Sequence, residues 1–271
     1  MRTARLAVTA LLVAATGATP VGAQARAYLF TIAPDVRPQE PRSLIHVDVG
    51  YGERLFAGLG PERLEQRVGA QLGLGGRVTL VAQAGVTPPF RSDAGHGSVE
   101  AEMLITLTPS TARGTLAIGM GGMRDYTGVG VVLGRLAAGY RGPAWDMAGN
   151  VRVERPLVGP GAQATAHRDA IDVITTAGVA RRVSGTLRLG LETVAEDLEG
   201  LFEREEAEGG AKVMIGPTVA IAPRGSHWQL LAGGGRVIRV THSATVGTGG
   251  ASRDLTARSG YVVRTVIVYS W

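Results

Sequence analysis

The sequence predicts an all-β chain folded as an antiparallel up-and-down β-barrel of about twelve strands. Three observations predict it. Successive stretches of about ten residues alternate apolar and polar residues with a period of two. The links between these stretches alternate between short and long. The last stretch, Ser259 to Trp271 (SGYVVRTVIVYSW), carries an aromatic and aliphatic stripe up to its final residue.

The chain begins with Arg2 and Arg5 ahead of an apolar run, Leu6 to Ala15, that is too short to span a bilayer. Ala23-Gln24-Ala25 offers a small-residue cleavage site. Residues 1–25 are therefore expected to be a signal peptide. Residues 26–43 contain Pro34, Pro38 and Pro41 without clean periodicity and are expected to be a lead-in or short plug. The barrel is expected over 44–271. No later run reaches 18 apolar residues, so no membrane-spanning helix is expected.

Strands are expected near 44–51, 64–74, 77–86, 97–108, 113–123, 126–139, 144–155, 167–181, 185–195, 209–221, 227–238 and 260–271. In the second, Leu64, Val68, Ala70, Leu72 and Leu74 share a face, with Gln66 as an exception, and Glu65, Arg67 and Gln71 take the other. In the fourth, Val99, Ala101, Met103, Ile105 and Leu107 oppose Glu100, Glu102, Thr106 and Thr108. In the seventh, Trp145, Met147, Val151 and Val153 oppose Asp146, Asn150, Arg152 and Glu154; in the ninth, Leu187, Leu189 and Leu191 oppose Arg188 and Glu192. The stretch 126–139 is less regular, because Arg135 lies off the best apolar register, which a bulge would explain.

Short turns are expected at Gly75-Gly76, Pro109–Ala112, Tyr140–Pro143, Arg182–Ser184 and Ala222–Gly225. Between them lie longer links at 52–63, 87–96, 156–166, 196–208 and 239–259, with one short exception at Arg124-Asp125. An even number of crossings brings both ends of the barrel to one side.

In the last strand, Tyr261, Val263, Thr265, Ile267, Tyr269 and Trp271 lie on one face, and Val262, Arg264, Val266, Val268 and Ser270 on the other. This terminal pattern, with the rhythm of the links, resembles the Gram-negative outer-membrane β-barrels of porin-like or transporter type. The resemblance implies a transmembrane barrel in the outer membrane, reached by way of the cleaved signal peptide, with 26–43 on the periplasmic side. It implies outer-membrane lipid and lipopolysaccharide as surroundings. It also implies that Tyr269 and Trp271 form the signal read by the barrel-insertion machinery.

Alternation alone does not say which face meets lipid, and a soluble β-sandwich or barrel is the rival. The polar faces carry both signs of charge: Asp48, Glu65, Arg67, Arg77, Glu100, Glu102, Asp146, Arg152, Glu154, Arg168, Asp172, Arg188, Glu192, Lys212 and Arg264. The apolar faces are Val, Leu, Ile and Ala, and the chain has only 4 Phe, fewer than a soluble core of this size would use. The charged residues are therefore expected to line a lumen. The aromatic residues available for membrane girdles are few: Tyr28, Tyr51, Tyr126, Tyr140, Trp145, Trp228, Tyr261, Tyr269 and Trp271.

Twelve strands fall between eight, where side chains fill a barrel, and sixteen, where an aqueous channel opens. A passive channel for small polar solutes with weak ion selectivity is expected. A structural or surface-interaction barrel with a salt-bridged, closed lumen is the alternative, and an outer-membrane lipid hydrolase the second. The hydrolase would need a Ser–His couple, but in Ser226-His227 and His242-Ser243 the partners are adjacent and point to opposite faces of a strand, so no catalytic residue is assigned. No cofactor or metal site is expected. The chain has no cysteine, and His46 and Asp48 share a face without a third ligand. The acidic stretch Glu196 to Gly210 lacks calcium-loop spacing and reads as a solvated loop. Nucleic acid is not an expected partner: the net charge of +5 comes from 28 basic residues interleaved with 23 acidic ones, not from a basic patch.

Overall fold

The structure, a computed structural model, describes residues 43–52, 63–74, 77–87, 96–109, 112–124, 130–157, 171–196, 211–240 and 260–271. Among the described residues there are twelve strands: β1 (Leu44–Gly52), β2 (Arg63–Gly73), β3 (Val78–Thr87), β4 (His96–Thr106), β5 (Gly114–Arg124), β6 (Gly130–Arg141), β7 (Trp145–Pro156), β8 (Asp172–Arg182), β9 (Leu187–Glu196), β10 (Lys212–Ile221), β11 (Trp228–Arg239) and β12 (Gly260–Ser270). Each pairs antiparallel with its neighbours in sequence, and β12 returns to β1 to close the barrel. Closure leaves no strand edge unpaired, which is what a sheet in hydrocarbon requires.

Leu44 lies opposite both Ser270 and Gln71, so the barrel begins and ends at one rim. The five short connections share that rim, here called the turn end; the other links leave from the opposite rim, the loop end. Local chemistry fixes the turns. After β8, Ser184 Oγ accepts the backbone N–H groups of Thr186 (3.2 Å) and Leu187 (3.1 Å). After β10, the Ser226 N–H donates to the Pro223 carbonyl at 3.1 Å, and Gly225 takes φ 70°, a conformation glycine adopts without strain.

The alternation resolves the two faces. On β1, Val47 is 52% exposed while its neighbour Asp48 is 1% exposed. Val49, Val68, Met120, Leu191, Ile215 and Val263 are likewise exposed on the outer wall, while Glu102, Glu154, Lys212 and Arg264 are buried inside. A soluble barrel has the opposite arrangement. Strands of 9 to 12 residues with an apolar outer face fit a transmembrane barrel. At the turn end the outer wall carries Tyr140, Trp145 and Trp228, and Tyr269 packs at 4.8 Å from Trp228 and 6.2 Å from Trp271 between ring centroids. The Arg181 guanidinium lies 5.8 Å from the Trp145 ring centre.

One expectation differs, and parts of two expected strands fall outside the described residues. Among the described residues β6 starts at Gly130 and β8 at Asp172, and the expected strand residues 126–129 and 167–170 lie outside the described residues. The difference concerns Arg135. No bulge accommodates it: β6 pairs residue for residue with β5 and β7 throughout. Both faces of β6 are largely apolar, Val131, Leu133 and Ala137 inward and Val132, Leu136 and Tyr140 outward, so a period-two reading has nothing to anchor it. Residues 1–42, with the expected signal peptide and most of the lead-in, lie outside the described residues, as do most of the acidic stretch, Arg168, His242 and Ser243.

Candidate functional site: the barrel interior

Interior positions alternate along each strand and line up across strands, because directly paired residues in an antiparallel sheet share a face. On this register the inner wall carries Asp48 on β1; Arg67 on β2; Glu100 and Glu102 on β4; Asp146, Arg152 and Glu154 on β7; and Asp172 on β8. Arg188 and Glu192 on β9, Lys212 on β10 and Arg264 on β12 complete it. Glu65 occupies an inward register position opposite Gly50. Arg77 lies at the rim: it is exposed in the turn before β3, where its Nη1 donates to the Leu107 carbonyl at 3.4 Å.

The densest cluster spans β4 to β7. Arg152 grips Glu100 with two parallel bonds, Nη1 to Oε1 at 3.0 Å and Nη2 to Oε2 at 2.9 Å, while Gln83 Nε2 donates to Glu100 Oε2 at 3.0 Å. Arg135 Nε donates to both Glu102 oxygens, at 2.8 and 3.0 Å. Arg152 Nε also pairs with Glu154. These are charge-assisted bonds, one of them a guanidinium–carboxylate fork. Arg135 and Arg152 lie directly opposite each other, a repulsive placement that the three surrounding glutamates neutralise.

The reach of these pairs depends on what is missing between them. Glu102 and Arg135 sit on strands separated by β5, about 10 Å apart at the usual strand spacing. β5 presents Gly119 and Gly121 at that level, opposite Leu104 and Glu102. A β-carbon on Gly119 would lie 2.4 Å from Glu102 Oε1, so the bare backbone there makes room for the ion pair to cross over it. β1 has a smaller counterpart: the His46 ring lies over Gly69 of β2, where a β-carbon would be 2.2 Å from Cε1.

A second charged group joins β12 to β1, with Arg264 Nε 3.4 Å from Asp48 Oδ1 and Arg67 opposite Asp48. At the loop end of the wall, Lys212 pairs in register with Glu196 and Arg239. Two aliphatic clusters interrupt the charged and polar inward positions of β9–β12. Val194, Met214, Val237 and Val262 form one buried cluster, and Leu44, Ala220, Leu231, Val266 and Val268 another.

Arg135 is the best-paired of the interior residues that sequence reasoning missed, which also include Arg182, Glu196 and Arg239. The signal that could have found it is the inward glycine pair on the preceding strand, which only a long side chain from a neighbouring strand can use. Asn150, bonded to Thr176 Oγ1 at 3.0 Å, was placed on the polar face but given no role. Ser226 and His227 form no couple: Ser226 Oγ accepts the Trp228 N–H at 3.0 Å, and His227 Nδ1 lies 2.8 Å from the Ser270 carbonyl. Among the described residues no group of three metal-ligating side chains converges.

A closed twelve-stranded barrel with an apolar outside and a charged inside is the architecture of a porin-type transmembrane barrel. No family model matches the sequence, nor does any curated protein. Solved structures match the fold. The NanC porin aligns over 82% of this chain and 98% of its own, with a TM-score of 0.56 and 10% identity. The KdgM porin in complex with disordered oligogalacturonate aligns over 84% and 99%, with a TM-score of 0.53 and 8% identity. At such identities the likeness is one of fold.

Proposed function

We propose that the chain is a passive channel of the Gram-negative outer membrane for small polar solutes. The observation that carries this reading is the charged interior, above all the Glu100–Arg152 and Glu102–Arg135 pairs inside an apolar outer wall. A barrel that only had to be stable would do as well or better with apolar residues there, since replacing buried ion pairs by packed hydrophobic side chains is often neutral or stabilising. Charges retained inside against that cost suit a path for polar solutes. Both signs line the wall, so ion selectivity is weak.

One observation favours a second reading, a structural barrel closed by its own salt bridges. Glu102, Glu154, Lys212 and Arg264 are each at most 4% exposed, which leaves little water beside them. Planar-bilayer conductance of the refolded mature chain decides between the two. Discrete steps that change with Arg188→Glu support the channel. Silence from a barrel shown to be folded overturns it and leaves the closed barrel.

The same reading assigns residues 1–25 as a cleaved leader and Tyr269 and Trp271 as the aromatic end recognised by the insertion machinery. Removing Trp271 is then expected to lower the amount of assembled barrel in the outer membrane. The outward cations Arg155 and Arg236, towards the loop end of β7 and β11, suit lipopolysaccharide phosphates at that rim.

A further inference from the structure

Between the β8–β9 and β10–β11 turns the barrel holds a cavity of about 300 Å³ at the turn end. Arg182, Arg188 and Arg224 line it together with Ser184, Thr186 and Gln229, and no carboxylate is among its lining residues. Arg182 and Arg188 lie directly opposite each other on the inner face, where like charges repel. In the β4–β7 cluster the same kind of placement is neutralised by three glutamates. Here Asp146 approaches one of them, with its Oδ2 3.4 Å from Arg188 Nε.

The third cation is held close by. Arg224 projects from the β10–β11 turn over Gly185 of the neighbouring turn, where a β-carbon would lie 2.5 Å from Nη2 and 2.6 Å from Nε. Both turns are fixed by their own hydrogen bonds, and the Ala222 N–H ties one to the other through the Thr186 carbonyl at 2.8 Å. Three guanidinium groups on a braced frame, with hydroxyl and amide side chains between them, form a concave, positively charged, hydrogen-bonding surface. Guanidinium forks match the paired oxygens of phosphate and carboxylate groups.

We infer that this cavity binds a compact oxyanion carrying at least two negative charges, a phosphate ester or a polycarboxylate. In the orientation of the proposed channel it opens to the periplasm. Its occupancy does not require the lumen to conduct, so the two readings fail separately.

Calorimetric titration of the folded, detergent-solubilised barrel at low salt tests the inference, with inorganic pyrophosphate in one arm and citrate in the other. Saturable binding of one anion per chain is expected in at least one arm, and the arm that responds tells phosphate from carboxylate. The Arg182→Gln/Arg224→Gln variant is expected to bind about tenfold more weakly or worse, the loss of one charge-assisted contact being enough for that factor. Gly185→Ala keeps every charge but occupies the place of the Arg224 guanidinium; it is expected to weaken binding by a smaller factor. Arg181→Gln removes a neighbouring cation from the outer wall and is expected to change nothing. The inference is overturned by wild-type protein, folded by its heat-modifiable gel migration, that binds neither anion. It is equally overturned if Arg181→Gln weakens binding as much as the cavity variants do, because generic charge then explains the signal.

Discussion

The inner wall over β4–β7 and the inner wall over β9–β12 arrange their inward residues differently. Over β4–β7 the central inward residues Glu100, Glu102, Arg135 and Arg152 are long and charged, and the Glu102–Arg135 pair crosses bare glycine backbone. Over β9–β12 the inward charges, Arg188, Glu192, Lys212 and Arg264 among them, are interrupted by aliphatic clusters, one with Met214 packed among Val194, Val237 and Val262. Outside, the two walls are alike, because lipid imposes one rule on both. The difference teaches that the inner face of this barrel is where the sequence is free to vary, and that the two halves contribute differently to it. One half concentrates its charges in a single interlocked cluster, and the other interleaves its charges with packed aliphatic side chains.

The sharpest way to break this comparison is to remove a charge from the first wall. Glu102 is fully buried beside Arg135, and Glu102→Ala strands that guanidinium. Breaking a buried pair from one side destabilises by about 3–5 kcal/mol. The effect here is expected near about 3 kcal/mol, because Glu100 stands 3.9 Å from Arg135 and takes up part of the charge. Urea unfolding followed by tryptophan fluorescence reads it. Adding Arg135→Met to Glu102→Ala is expected to recover most of the loss; if the double variant is as unstable as the single one, unpaired charge is not the cause.

The matching change in the second wall is Met214→Ala, which removes apolar contact and leaves no charge behind. It is expected to cost about 2 kcal/mol, at the low end for a large-to-small change. Its cost should not depend on salt. A greater loss from Met214→Ala than from Glu102→Ala would reverse the order of the two walls.

The contrast between inner and outer faces also explains what could be read from the sequence. All twelve strands were legible because hydrocarbon disfavours outward polar residues along most of each strand, and that selection writes a period of two into the chain. Val99, Ala101, Met103 and Ile105 of β4 show it plainly. The inner face obeys no single rule, so where its residues are also apolar, as at Val131 and Leu133 of β6, the period fades and Arg135 looked misplaced. The ion pairs were not legible at all. Glu100 and Arg152 are 52 residues apart and sit three strands from each other, and only the register of β4 through β7 brings them together. Like charges on one strand face gave no hint of which opposite charges would answer them.

The smallest predicted effects test whether empty space is what the charged wall needs. Gly119 faces inward and Gly134 faces outward one strand away, in regular strand backbone. A β-carbon at Gly134 would meet nothing within 4 Å, whereas one at Gly119 would lie 2.4 Å from Glu102 Oε1 and 2.6 Å from a Leu104 methyl carbon. Those neighbours are side-chain ends that can shift, so Gly119→Ala is expected to cost about 1 kcal/mol by loosening the Glu102–Arg135 pair, not by clashing with backbone. Gly134→Ala is expected to stay within about 0.5 kcal/mol of the parent. In Glu102→Ala the obstructing carboxylate is gone, so Gly119→Ala added to that background should lose most of its penalty. Equal costs for Gly119→Ala with and without Glu102 would mean that the glycine serves the strand itself and not the ion pair that crosses it.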